Sequence, residues 1–337
     1  MRTKKLLLVL LSALLVVSIF GCSKEKSTEP KVVAFDVVRE ALDNYLSSGQ
    51  APVISAQALF DNMNDGDTSN DYFVVSVRKP EHYKIGHIPG AINIFFKDVA
   101  KADNLKKIPK DKKVVTYCYT GHTGMMAATA LNAMGWEAYD LKFGIMAWTK
   151  NADARVQSAF SEDTDAHDYP VETKVNTASA THKLPSLSYI TATDKDEIIR
   201  QAADHALSTM TPVITAQALY DLLNDGDTSN DPIIVSVRKP EHYAIGHIPG
   251  AINIFFRDIA KEDNLKKLDP DKQIVTYCYT GHTGEIAATA LAMLGYNATN
   301  LKFGIMSWTK DANVRVQSAF SEDTDAHDYP LHTGTNP

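Results

Sequence analysis

Val114-Val115-Thr116-Tyr117-Cys118-Tyr119-Thr120-Gly121-His122-Thr123-Gly124 returns later in the chain as Ile274-Val275-Thr276-Tyr277-Cys278-Tyr279-Thr280-Gly281-His282-Thr283-Gly284. The β-branched and aromatic run at the start of each copy reads as a buried strand. It stops at a cysteine, passes through a short loop with two glycines and enters an alanine-rich run, Met125 to Leu131 in the first copy, that is helical by propensity. A cysteine between a strand end and a helix N-terminus faces unpaired backbone N–H groups and the positive end of the helix dipole. Both stabilise a thiolate, the nucleophilic form of the side chain. The placement points to chemistry at Cys118 and Cys278.

The repeat extends beyond this stretch. Ser76 and Ser236, His87 and His247, Trp148 and Trp308, and His167 and His327 share the 160-residue offset that separates 118 from 278. The chain therefore reads as a tandem duplication whose period is that of a domain, too long for a solenoid. The boundaries read from it are a leader at 1–21, a tether at 22–30, a first domain at 31–175, a linker at 176–190 and a second domain at 191–337. With 337 residues and 44% hydrophobic content the chain can bury two sizeable cores. Its net charge of −7, without a basic cluster beyond the N-terminus, argues against a nucleic-acid partner.

Arg2, Lys4 and Lys5 precede the apolar stretch Leu6 to Phe20, which is short for a bilayer span. Ile19-Phe20-Gly21-Cys22 and the polar run after it resemble a bacterial lipoprotein signal, with cleavage before Cys22 and lipid on its sulfur. That resemblance implies export to the cell envelope and membrane anchoring through Cys22; Ser23 after the cysteine suggests the outer membrane. Lipidation leaves one cysteine per repeat, so neither repeat can close a disulfide, although exported proteins ordinarily use cysteine in pairs.

Within the first copy the pattern predicts a helix over 36–46, a strand at Val53-Ile54, and a helix from Ala56 to Met63 capped by Ser55. A strand over 72–77, a turn and short helix from Arg78, and a strand after Gly90 follow. A helix over 97–105, the strand ending at Cys118, a helix over 123–134, a strand over 137–141 and a short helix carrying Trp148 complete the copy. Strands alternating with helices imply a mainly parallel α/β sheet covered on both faces. Asp65 to Asp71 reads as a solvated turn, because the glycine and distal glutamate of a helix–loop–helix calcium site are missing. The acidic run 161–169, repeated at 321–329, reads as a solvated terminal segment that packs through Tyr169.

Val77-Arg78, Gly86-His87-Ile88-Pro89-Gly90-Ala91-Ile92-Asn93, the cysteine loop, and Leu141-Lys142-Phe143-Gly144 with Trp148 together resemble the rhodanese family, and each recurs 160 residues later. The resemblance implies two domains with five-stranded parallel sheets. It also implies sulfur transfer through persulfides on Cys118 and Cys278, without a cofactor or a metal. Thiosulfate or polysulfide is then the donor, and a thiol or cyanide the acceptor. The persulfide would be held by Tyr119, Thr120, Gly121, His122, Thr123 and Gly124, and by Tyr279, Thr280, Gly281, His282, Thr283 and Gly284. The loop lacks the arginine or other cation common in the family, and His122 is the candidate positive charge below about pH 6.5. Arg78 and Arg238 read as structural groups paired with carboxylates such as Glu81 and Glu241, or as substrate contacts. A phosphatase of the same fold needs an arginine where Gly124 and Gly284 stand, which removes that reading. The alternative is a low-turnover sulfur carrier or partner-binding module. Because Met125 becomes Glu285 in the second copy, extra negative charge beside Cys278 predicts that Cys118 reacts faster.

Overall fold

A computed structural model describes residues 33–335; the leader and Cys22 lie outside them. The first repeat runs α1 (Ala34–Ser47), β1 (Val53–Ile54), α2 (Ala56–Met63), β2 (Phe73–Ser76), α3 (Pro80–Ile85), β3 (Ile92–Asn93), α4 (Ala102–Leu105), β4 (Val114–Tyr117), α5 (His122–Ala133), β5 (Ala138–Leu141), α6 (Ile145–Trp148) and α7 (Ala152–Arg155). The second runs α8 (Lys195–Thr209), β6 (Val213–Ile214), α9 (Ala216–Leu223), β7 (Ile233–Ser236), α10 (Pro240–Ile245), β8 (Ile252–Asn253), α11 (Glu262–Leu265), β9 (Ile274–Tyr277), α12 (His282–Met293), β10 (Ala298–Leu301), α13 (Ile305–Trp308) and α14 (Ala312–Arg315). Each sheet has five parallel strands, in the orders β1-β5-β4-β2-β3 and β6-β10-β9-β7-β8. The helix expected over 97–105 is interrupted: a 3-10 turn at Phe96–Asp98 precedes α4.

Cys118 and Cys278 follow the central strands β4 and β9 directly. Sites in open parallel sheets form at these C-terminal ends, where the strands' last groups and the helix N-termini converge. The side chain of Ser55 accepts from the Ala58 N–H and starts α2 as its sequence indicates.

Each copy keeps its own core on one face of its sheet, around Trp148 or Trp308, but on the other face the two share one. Nearly every residue of α5 and α12 is buried, and these helices pack on each other, with α1 against α8 beside them. A helix apolar around its whole circumference needs cover on every side. Here each supplies the other's, so one continuous cluster includes Leu42, Leu131, Leu207 and Leu291.

The acidic segments also correct the sequence reading. Tyr169 packs as expected, but on the opposite repeat: it stacks on Tyr220, ring centroids 4.0 Å apart, and its N–H donates to the Trp308 carbonyl. The Trp308 indole N–H donates to the Pro170 carbonyl at 2.8 Å. In return, Tyr329 stacks on Phe60 and the Trp148 indole donates to the Pro330 carbonyl at 2.9 Å. Glu162 pairs with Arg315, and Glu322 with Arg155, both at 2.5 Å. Each repeat thus lends its C-terminal arm to the other. This reciprocity is that of an isologous dimer built into one chain.

Candidate functional site

Cys118 is 2% exposed and Cys278 1%, yet each lines a cavity, of about 330 Å³ and 350 Å³ respectively. The Gly121 N–H donates to Cys118 Sγ at 3.2 Å, and the Gly281 N–H to Cys278 Sγ at the same distance. Gly121 has φ +92°, which turns the chain sharply into α5. The first-turn N–H groups of α5 and α12 precede any intrahelical acceptor and open at the loop. Gly144 closes the loop from below: the Ile145 N–H donates to the Cys118 carbonyl at 2.9 Å. A Cβ on Gly144 would stand 2.7 Å from that carbonyl oxygen and 2.9 Å from the Gly121 nitrogen.

The histidines do something other than expected. His122 Nε2 accepts the Phe303 N–H at 3.0 Å, and His282 Nε2 accepts the Phe143 N–H at 3.0 Å. Each Nδ1 pairs with its own loop threonine, Thr120 or Thr280. An Nε2 that accepts an amide proton carries none, so Nδ1 is the protonated nitrogen and the ring is neutral. Burial, then the facing His282 and Lys302, hold His122 well below the ordinary imidazole range. Burial and Lys142 lower His282 to about 3. Neither ring supplies the cation proposed from sequence; both are struts between the repeats. Phe143 and Phe303 adopt φ +64° and +63°, costly for residues with a Cβ, and this aims their N–H groups at the opposite ring.

Two buried carboxyls lie at the same interface. Burial, then Cys118 and Glu285, push Asp140 well above the carboxylate range. Burial does the same to Glu285, against a hydrogen bond of 3.1 Å from Asn300 Nδ2. His282 Nε2 is 3.9 Å from Asp140 Oδ2. With the ring neutral, that contact is not an ion pair. The charge difference expected at Cys278 is not one-sided, since burial pushes the Glu285 carboxyl up and the first repeat has its own buried acid, Asp140, where the second has Asn300.

Arg78 is fully buried and donates to the carbonyls of Ala154 at 2.8 Å and Gly86 at 2.5 Å; Arg238 does the same with Val314 and Gly246. The carboxylate pairing expected with Glu81 or Glu241 is not formed: these buried guanidiniums hold backbone carbonyls instead.

Sequence reasoning missed what completes each cavity. Lys79, Phe95 and Gln157, with Pro212, Val213 and Lys302 of the second repeat, line the Cys118 cavity beside the expected loop residues Tyr119, Thr120, His122 and Thr123. The Cys278 cavity mirrors it, with Pro52, Val53 and Lys142 of the first. The sequence marked the Leu-Lys-Phe-Gly motif but carries no sign that its lysine faces the other copy's cysteine. Among the described residues no group of three or more His, Cys, Asp or Glu side chains is arranged to hold a metal ion.

An open parallel sheet with a cysteine loop at the C-terminal end of its central strand, twice in one chain, defines the class. Residues 55–151 and 215–311 match the Rhodanese-like domain model, more than half of the chain, and the protein belongs to that family. It is similar to the probable adenylyltransferase/sulfurtransferase MoeZ of Mycobacterium tuberculosis, 25% identical over 305 residues, 86% of this chain and 74% of that one. It is also similar to the thiosulfate:glutathione sulfurtransferase of Saccharomyces cerevisiae, 32% identical over 91 residues, 23% of this chain and 66% of the relative. With the tRNA sulfurtransferase of Desulfurococcus amylolyticus it shares 36% identity over 75 residues, 22% of this chain but only 14% of the relative's length. The family and these relatives support a sulfurtransferase or sulfur-carrier role.

Proposed function

We propose that the protein moves sulfane sulfur from an anionic donor such as thiosulfate or a polysulfide to a thiol or cyanide, through persulfides on Cys118 and Cys278. The observation that carries this reading is the sulfur atom of each cysteine on a cavity wall, with a loop N–H on it and a helix N-terminus beside it. A thiolate attacks the outer sulfur of thiosulfate; the new S–S bond forms as the old one breaks, and sulfite leaves with the electron pair. The terminal persulfide anion then lies among main-chain donors already in place, which need little reorganisation. An acceptor thiolate takes that sulfur and returns the cysteine thiolate, giving ping-pong kinetics.

Thiocyanate formation from thiosulfate and cyanide tests the reading. We expect turnover that survives Cys118→Ser or Cys278→Ser alone and is lost in the double variant. A persulfide mass shift on both cysteines without turnover would instead identify a sulfur carrier, and neither result would refute both. The lipid anchor on Cys22 and its envelope location are also proposals, supported by the N-terminal sequence alone. The mass of the mature N-terminal peptide decides them.

A further inference from the structure

We propose that each cysteine cavity is completed by a lysine of the opposite repeat, Lys302 for Cys118 and Lys142 for Cys278, and that this crossed lysine selects anionic reactants. That the anion is a reactant rests on the sulfur-transfer reading; the placement of charge does not.

Four observations converge. Each lysine lines the cavity of the other copy's cysteine. The motif that carries it is locked there from both sides, because the next residue, Phe303 or Phe143, donates its N–H to the histidine of the facing cysteine loop. The positive charge reaches that loop: Lys302 disfavours protonation of His122, and Lys142 that of His282. Finally, among the described residues neither ammonium has a carboxylate within ion-pairing distance. Each rests instead over the neighbouring phenylalanine ring, 4.7 Å from its centroid. A half-buried cation without a counter-ion, at the wall of a cavity that holds a nucleophilic sulfur, is free to meet an anion. A cation lacking from the cysteine loop itself thus arrives from the other copy, in addition to Lys79 or Lys239 of the cysteine's own repeat, which line the same cavities.

Charge selection at one thiol is read by alkylation with iodoacetate, an anion, against iodoacetamide, its neutral analogue. Rates on the full chain are followed by peptide mass spectrometry, in Cys278→Ser for the Cys118 peptide and in Cys118→Ser for the Cys278 peptide. Lys302→Gln should lower the iodoacetate-to-iodoacetamide ratio at Cys118 about fivefold, and Lys142→Gln should do so at Cys278; this is the effect of one partly solvated charge a few ångströms away. Lys302→Arg and Lys142→Arg should restore the ratio, and added salt should lower it in the unsubstituted lysine background. The iodoacetamide rate shows whether each variant is folded around its cysteine. Ratios that do not move, or that move at the cysteine of the lysine's own repeat, overturn the proposal. Crossed ratios in a chain that makes neither persulfide nor thiocyanate would retain the crossed lysines and discard sulfur transfer. With sulfur transfer present, Lys302→Gln should raise KM for thiosulfate at Cys118 more than it lowers kcat.

Discussion

Gly144 and Asp140 show how much a single position decides beneath the cysteine loop. Gly144 has φ +58° and ψ −146°, a conformation almost reserved for glycine, with backbone atoms under 3 Å from any added Cβ. Gly144→Ala should cost at least about 3 kcal/mol of stability and displace the loop, seen as a lower melting temperature and an altered Cys118 alkylation rate. Asp140 is buried, with no hydrogen-bond partner for either oxygen among the described residues. Its counterpart Asn300 donates to the Gly281 carbonyl at 2.9 Å. Asp140→Asn should therefore supply the matching donor to Gly121 and stabilise the fold by about 1 kcal/mol at neutral pH. The gain has a sign in pH. A carboxyl whose folded pKa is raised is fully tolerated below its unfolded value, 3.8, and destabilises as pH climbs above it. The advantage of Asp140→Asn should accordingly be larger at pH 7.5 than at pH 4, by thermal unfolding.

At the scale of elements, the pair α5 and α12 meets through His122 and His282, whose neutral rings join each loop to the opposite Phe-Gly turn. For a base held neutral, stability is present above the unfolded pKa of 6.5 and is lost as pH falls toward the folded value, about 3 for His282. Each histidine should thus contribute a loss of about 1.4 kcal/mol per pH unit below 6.5. Asp140 and Glu285 act in the opposite direction over the same range, so the acid slope of the native protein is blunted. The double variant Asp140→Asn/Glu285→Gln should unmask it, and denaturant titrations between pH 4.5 and 7 would show a steeper loss on acidification. An unchanged slope would mean that the carboxyls are ionised in the folded state.

For the whole molecule, the exchanged arms make each repeat depend on the other. Arg155 is 7% exposed, donates to the Thr149 and Met146 carbonyls at the end of α6, and reaches Glu322 of the arm from the second repeat. Arg155→Ala leaves those carbonyls unmet and should cost about 3 kcal/mol. A chain ending at residue 318 loses the cover over Trp148 and Phe60. Hydrogen exchange should then rise in the first repeat, the one distant in sequence from the cut, before the second. Faster exchange confined to the second repeat would contradict the arm exchange.

The parallel α/β sheets, the duplication and the cysteine at the strand–helix junction were legible in the sequence, because strand period, helix propensity and glycine placement are local properties of the chain. Local patterns carry no address for a partner 160 residues away. Burial of α5 and α12 could be read from their apolar composition, but not what covers them. His122 looked like a loop cation until the Phe303 amide took its lone pair. Glu285 looked like an ordinary surface charge, but burial takes away water and pushes its carboxyl up. Protonation and pairing depend on which groups share a desolvated space, and only the docking of the two copies fixed that, bringing Lys302 to Cys118 and Lys142 to Cys278.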